Sequence, residues 1–297
     1  MMTEREKQEI ARANAGSRRP VVFVHGLWLL AQSWDRWRKL FEDAGFATLA
    51  PGWPDDPETV AEAREKPDVF AHKTVKQAAD HYASICDQLK LKPAIVGHSF
   101  GGLITEILAG RGLSAASVAI DPAPFQGVLA LPLSALKSAS PVLFRPSSYQ
   151  KSVPLTYEQF RYAFANVVDE AEAHELYGTF SVPTSGVPIF QAAFANLNPW
   201  TEVKVDLASP KRGPLLVISG ERDHTVPRAI AYSSYLRQKK NSAPTEFLEI
   251  PNRGHSLTID AGWKEVAEAA LAFLKKYLDV EARPAPRPAG ADTRATV

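Results

Sequence analysis

Residues 93–110 read Pro-Ala-Ile-Val-Gly-His-Ser-Phe-Gly-Gly-Leu-Ile-Thr-Glu-Ile-Leu-Ala-Gly, and the order of their parts decides the fold. The first part is a short apolar run, which predicts a buried strand over Ala94–Gly97. The last part predicts a helix over Gly101–Arg111. Between them stands Gly97-His98-Ser99-Phe100-Gly101, a G-x-S-x-G pattern. In that pattern the serine sits on a strained strand-to-helix turn, and the flanking glycines leave room for close packing. The turn lifts the hydroxyl above the sheet edge. The N–H groups after it open a helix, where partial positive charge can stabilise an oxyanion. Ser99 is therefore a candidate nucleophile, and the Phe100 N–H a candidate oxyanion donor.

Pro20–His25 is a second apolar run and ends at Gly26. Similar runs cover Phe46–Ala50, Ala116–Ile120, Leu215–Ser219 and Thr245–Ile250. Helical patterns cover Trp34–Ala44, Thr74–Leu91, Pro227–Gln238 and Trp263–Leu278. About six short strands alternating with helices predict an α/β fold, a doubly wound, mostly parallel sheet covered on both faces. The alternation breaks between Pro122 and Arg212. That segment holds ten of the 23 prolines, seven of the 14 phenylalanines and no clear strand. Its helical parts are Tyr157–Val168, Glu170–Tyr177 and Pro188–Asn196. It reads as a helical cap over residues 122–212, inserted between two parts of a core, 20–121 and 213–280. Residues 1–19 read as a polar lead-in, helical at best. Residues 281–297 are rich in Pro and Ala and are expected to be a disordered tail.

Composition narrows the function classes. The 297 residues carry a net charge of +1, so no basic excess favours nucleic acid. No run of 18 or more apolar residues occurs, so no membrane span is expected. Residues 1–19 hold no apolar segment of the secretory kind. The one cysteine, Cys86, falls on the apolar stripe of its helix and reads as a buried hydrophobe. A cytoplasmic location is expected. No His-x-x-x-His pair and no Cys/His cluster occurs, so no metal is expected. Oligomeric state is not legible.

A serine hydroxyl needs a base at neutral pH. His255, in Asn252-Arg253-Gly254-His255-Ser256, follows the last strand and opens on the same sheet edge as Ser99. His98 adjoins Ser99 but leaves the turn in another direction, so packing is its role. His25 shapes the loop after the first strand. The acid that orients the base is read as Asp223, in Gly220-Glu221-Arg222-Asp223-His224, just after a strand. Asp121, at the end of another strand, is the rival. The second oxyanion donor is sought in His25-Gly26-Leu27-Trp28, and the Leu27 N–H is chosen.

These motifs together resemble the α/β-hydrolase superfamily: His25-Gly26, the Gly97–Gly102 elbow, Gly220–Pro227, and Gly254–Ser256. The order Ser, Asp, His matches the family order. The resemblance implies the doubly wound sheet, a cap where residues 122–212 stand, and no cofactor. The chain before Pro20 is too short for the family's first two antiparallel strands, so a shortened sheet is expected. The implied reaction is hydrolysis by water through an acyl-enzyme on Ser99. The expected substrate is a small carboxylic ester or lactone with an apolar acyl or aryl part, held by Trp28, Phe125, Phe190 and Phe194. Lyase, amidase or perhydrolase chemistry on the same triad, and a non-catalytic receptor, are the alternatives.

Overall fold

Six strands stand at the centre of the computed structural model, which describes residues 2–278. In chain order they are β1 (Pro20–Val24), β2 (Ala47–Leu49), β3 (Ala94–His98), β4 (Ala116–Ile120), β7 (Leu215–Gly220) and β8 (Thr245–Ile250). Two more, β5 (Ser152–Val153) and β6 (Thr184–Ser185), form a separate antiparallel pair. The six-stranded sheet has the order β2-β1-β3-β4-β7-β8, and every pairing in it is parallel. This is the expected shortened sheet. The tail read at residues 281–297 lies outside the described residues.

Strands β1, β3 and β4 are buried along their whole length, as expected of parallel strands covered on both faces. Val22 and Val24 point to one face, among residues of α4 (Val75–Asp87) and α5 (Phe100–Gly110). Val21 and Phe23 point to the other, among residues of α2 (Asp35–Asp43) and α11 (Trp263–Tyr277). Cys86 lies buried on α4, where burial raises its thiol to about 12 and leaves it inert.

The structure refines the sequence reading at several elements. Within the polar lead-in, read as helical at best, residues 4–15 form a full helix, α1 (Glu4–Ala15), started by a capping box on Thr3. Ile10 and Ala13 enter the core, and the buried Glu9 accepts the Ala50 N–H and pairs with Arg38. The fourth helix ends at Asp87 rather than Leu91: the Gln88 and Leu89 N–H groups close its last turn on the Ile85 and Cys86 carbonyls, and Pro93 disfavours helical backbone at Lys92 as the chain enters β3. A helix unread in the sequence, α6 (Leu133–Leu143), spans Pro141. Its Pro132 is the N-cap, and Ser140 Oγ donates to the Lys137 carbonyl that Pro141 cannot reach.

Between β4 and β7 the chain also forms α7 (Tyr157–Ala163), α8 (Glu170–Phe180) and α9 (Val187–Ala193). α3 (Val60–Glu65) precedes α4, and α10 (Arg228–Gln238) follows β7. α5 and α10 meet over a fully buried carboxylate, Glu106, which accepts hydrogen bonds from Ser234 and Gln238. Burial raises this carboxyl to about 7, against those hydrogen bonds. The unfolded chain ionises it near 4.5. Its neutral form therefore stabilises the fold fully below about 4.5, and that stability is lost as pH rises to about 7. Glu106→Gln keeps the acceptor and cannot ionise. In urea titrations it should be more stable than wild type above pH 7, by on the order of 2 kcal/mol, with no gain in acid.

Candidate active site

Parallel strands deliver their following loops to one sheet edge, and five of those loops meet here. β3 ends at His98 and passes into α5 with no linker, so Ser99 must make the whole turn. Its backbone sits at φ 58°, ψ −121°. The Ser99 N–H donates to the Ile120 carbonyl at 2.9 Å, and its carbonyl accepts from Ala123 at 3.0 Å and Leu103 at 3.1 Å. Glycine is required on both sides. A Cβ on Gly97 would stand 2.1 Å from the Gly101 carbonyl oxygen, and one on Gly101 would stand 2.0 Å from that of Val24.

His255, from the loop after β8, places Nε2 3.0 Å from Ser99 Oγ. Its Nδ1 lies 2.6 Å from Asp223 Oδ2. With Nδ1 protonated, the ring donates to Asp223 and accepts from the serine hydroxyl. Asp223 Oδ1 accepts N–H bonds from Thr225 at 2.6 Å and Val226 at 2.9 Å. All three side chains are buried. The sequence-selected Ser99, His255 and Asp223 are thus brought together in one hydrogen-bonded row.

The rival acid is beside them. Asp121 is buried, at φ 40°, and its Oδ1 accepts the Gly220 N–H at 2.8 Å. Burial, then the charge of Asp223, push its carboxyl well above the usual range. Asp223 shows the opposite balance: burial alone raises it, but His255, a hydrogen bond from Asp121 and the Val226 N–H hold it low. Of the two carboxyls, Asp121 carries the proton and donates to Asp223. His98 is buried, its ring 4.5 Å from that of His255, and burial drives it well below its ordinary value. It is a neutral packing partner. Ligand atoms of His98, Asp121 and His255 lie within 4.8 Å of one another, as metal ligands would. However, both nitrogens of His255 already face Asp223 and Ser99.

The loop after β1 closes the other side. A Cβ on Gly26 would come 2.8 Å from Ser99 Cβ, so this loop lies against the candidate nucleophile. Phe100 N–H is in the first turn of α5, where no earlier carbonyl is available to it. Behind the loop, sequence reasoning missed a buried network. His25 Nε2 is 3.2 Å from Asp56 Oδ2, and Lys73 Nζ donates to Asp56 Oδ1 at 2.7 Å. Trp53 Nε1 donates to the His25 carbonyl at 3.2 Å. Burial raises the Asp56 carboxyl, but His25 and Lys73 outweigh it and hold it low. No motif marks Asp56 or Lys73; only the fold brings them together.

The insert reaches down to the site. Asn166 Nδ2 donates to the Arg222 carbonyl, Thr225 Oγ1 to the Ala163 carbonyl and the Ser256 N–H to the Phe164 carbonyl. Phe164 sets its edge against His255, with ring centres 4.9 Å apart. His224 faces the Tyr162 carbonyl, away from the row. A cavity of about 280 Å³ opens on Ser99 and Phe100. Trp28 lines it, and its Nε1 donates to the Val153 carbonyl. Three expected pocket residues are placed elsewhere. Phe125 is packed into the core, Phe190 lies between Tyr149 and Phe194, and Phe194 is exposed. The wall is aliphatic instead: Leu129, Leu131, Leu136, Leu143 and Ile189. Most of these belong to α6 or the loop before it, which prolines hid from the sequence reading.

Comparison with known proteins agrees with this fold. A family model described as the alpha/beta hydrolase family matches residues 21–269. No curated protein matches the chain. Among solved structures, a monoacylglycerol lipase from Paleococcus ferrophilus is similar at 21% identity and a TM-score of 0.60. The match covers 87% of this chain and 95% of that one. An extracellular alpha/beta-hydrolase from a Paenibacillus species gives 19% identity and 0.61, covering 88% and 100%. A thermophilic esterase from Thermogutta terrifontis gives 20% and 0.60, covering 88% and 91%. At such identities the likeness is one of fold.

The two buried carboxyls make a test. In Asp121→Asn the amide still accepts from Gly220 and still donates to Asp223. Its kcat/KM on an activated ester should fall by less than about tenfold. Asp223→Asn offers the wrong group to His255 Nδ1–H and should fall on the order of 10⁴-fold. Equal losses, or the reverse order, would move the acid to Asp121.

Proposed function

Because the chain belongs to the alpha/beta hydrolase family, we propose that it is a serine hydrolase cleaving a small carboxylic ester or lactone with an apolar acyl or aryl part. The observation that carries this reading is the hydrogen-bonded row Ser99–His255–Asp223 at the mouth of an apolar cavity. Ser99 Oγ attacks the carbonyl carbon while His255 Nε2 takes its proton. Asp223 holds the imidazole in the required tautomer and stabilises the imidazolium. The oxyanion is received by the N–H groups of Phe100 and Leu27. Collapse expels the alcohol, which takes its proton from His255. Water then attacks the acyl-enzyme, with His255 again as base, and the acid is released.

Residues 122–212 act as the cap of this site, and their aliphatic wall selects the acyl part. Carboxylesterase activity agrees with the esterase and lipase described among the structural neighbours. A lone cysteine, with no disulfide to maintain, supports a cytoplasmic location. No helix among the described residues is long and apolar enough to cross a membrane.

p-Nitrophenyl esters of increasing acyl length test the proposal. The specificity constant should rise from acetate to longer chains as the aliphatic wall is filled. Ala192, on the cavity wall, offers a second arm. Ala192→Trp should lower the preference for a long over a short chain by about tenfold or more. Ser99→Ala should reduce turnover to background. Turnover that survives Ser99→Ala, or none by wild type on any ester, would contradict the proposal.

A further inference from the structure

Eleven large apolar side chains are exposed among the described residues, and eight of them lie in the insert. Surface apolar residues are normally scattered; a cluster at the mouth of a cavity marks a binding face. Leu129 and Leu131 are exposed and also line the cavity that opens on Ser99. Leu133, Leu197 and Trp200 are still more open, at 83%, 79% and 87% of full exposure. Hydrogen bonds make this one face rather than separate tips. Gln126 Nε2 donates to the carbonyls of Ala195 and Asn198, and Asn196 Nδ2 to that of Val128. The loop carrying Leu129 and Leu131 is thereby held beside the turn carrying Leu197.

Charge selects the occupant. From Pro122 to Tyr157 the sequence has no acidic residue, and its charges are Lys137, Arg145 and Lys151. All three are exposed. Among the described residues, none of the three forms an ion pair with a carboxylate. From Leu176 to Thr201 there is no charged residue at all. On α6 Lys137 stands one turn after Leu133, with its ammonium over the Tyr162 ring, and Arg145 follows the exposed Phe144. Apolar side chains beside cations that have no carboxylate partner suit a layer with apolar tails and anionic headgroups. We propose that this face of the insert docks on an anionic phospholipid surface, with the cavity mouth turned toward the lipid. The hydrolase reading then gains a source of substrate: an apolar ester partitioned in that layer enters past Leu129 and Leu131 without crossing bulk water. The inference rests on that reading only for what is cleaved; docking itself needs no catalysis.

The test therefore uses Ser99→Ala, so that binding is measured without turnover. The protein is sedimented with vesicles of phosphatidylcholine, with and without phosphatidylglycerol. It should sediment with the mixed vesicles and bind pure phosphatidylcholine about tenfold or more weakly. Adding Leu133→Gln, Leu197→Gln and Trp200→Gln should abolish sedimentation. These positions are too exposed to matter to folding and do not line the cavity, so with Ser99 restored the same substitutions should leave turnover of soluble p-nitrophenyl acetate unchanged. Tryptophan emission should shift to the blue on mixed vesicles, and the triple substitution should remove the shift. Failure to sediment, or equal sedimentation of the substituted protein, would overturn the proposal. So would a lipid-free dimer that the same substitutions dissolve, since a second copy would then be the occupant. None of these outcomes would touch hydrolysis of soluble esters, which stands or falls separately.

Discussion

Ser99 holds a backbone conformation that costs most residues on the order of 1–3 kcal/mol, and the surrounding structure is arranged to maintain it. A positive φ at a non-glycine residue persists only where neighbours over-determine it. Here β3 enters the turn with no freedom and α5 leaves it at once. Gly97 and Gly101 let the two elements approach to distances that no side chain would survive. The Ser99 N–H and carbonyl are both tied to the β4 end of the sheet. The consequence is a hydroxyl raised above the sheet edge, beside the N-terminus of α5. Each other group is useful only relative to that position.

The remaining groups arrive on separate loops, and burial decides their charge. Two carboxyls, Asp121 and Asp223, share a buried site with two imidazoles. Two adjacent buried carboxylates cannot both ionise cheaply, so the proton goes to the one without an imidazole partner. Asp121 then becomes a donor that supports Asp223 rather than a competitor for His255. A similar division holds for the histidines. His98 is buried, and burial and the neighbouring His255 keep it neutral, whereas both nitrogens of His255 are engaged along the row. On the far side, the Asp56–Lys73 pair is buried behind the β1 loop. Removing Asp56 would leave the buried Lys73 ammonium without a carboxylate partner, and removing Lys73 would leave His25 alone to hold the Asp56 carboxylate.

What could be read from residues alone follows a physical division. Strands β3, β4 and β7 are legible because each is a short apolar run with a turn after it, and β8 because Phe247, Leu248 and Ile250 precede the turn at Pro251. Ser99, Asp223 and His255 were legible because each stands just past such a run, and parallel strands send those positions to one edge. The insert was not legible in the same way. Its helix α6 carries Pro132 and Pro141, which read as breakers. A capping position and one hydroxyl bond from Ser140 make both tolerable. Without α6, the aromatic residues are the expected cavity wall, which is why the sequence points to Phe125, Phe190 and Phe194. The fold uses Phe125 for packing and leaves Phe194 on the surface. Asp56 and Lys73 are 17 positions apart and share no pattern, so only tertiary structure pairs them.

The central claim is that Ser99 is the atom source for a covalent step, activated by His255. An active-site-directed fluorophosphonate, followed by digestion and mass measurement, tests it most directly. The account predicts one adduct, on the peptide containing Ser99, formed far more slowly in His255→Ala and absent in Ser99→Ala. Labelling at another residue, or a rate indifferent to His255, would contradict it.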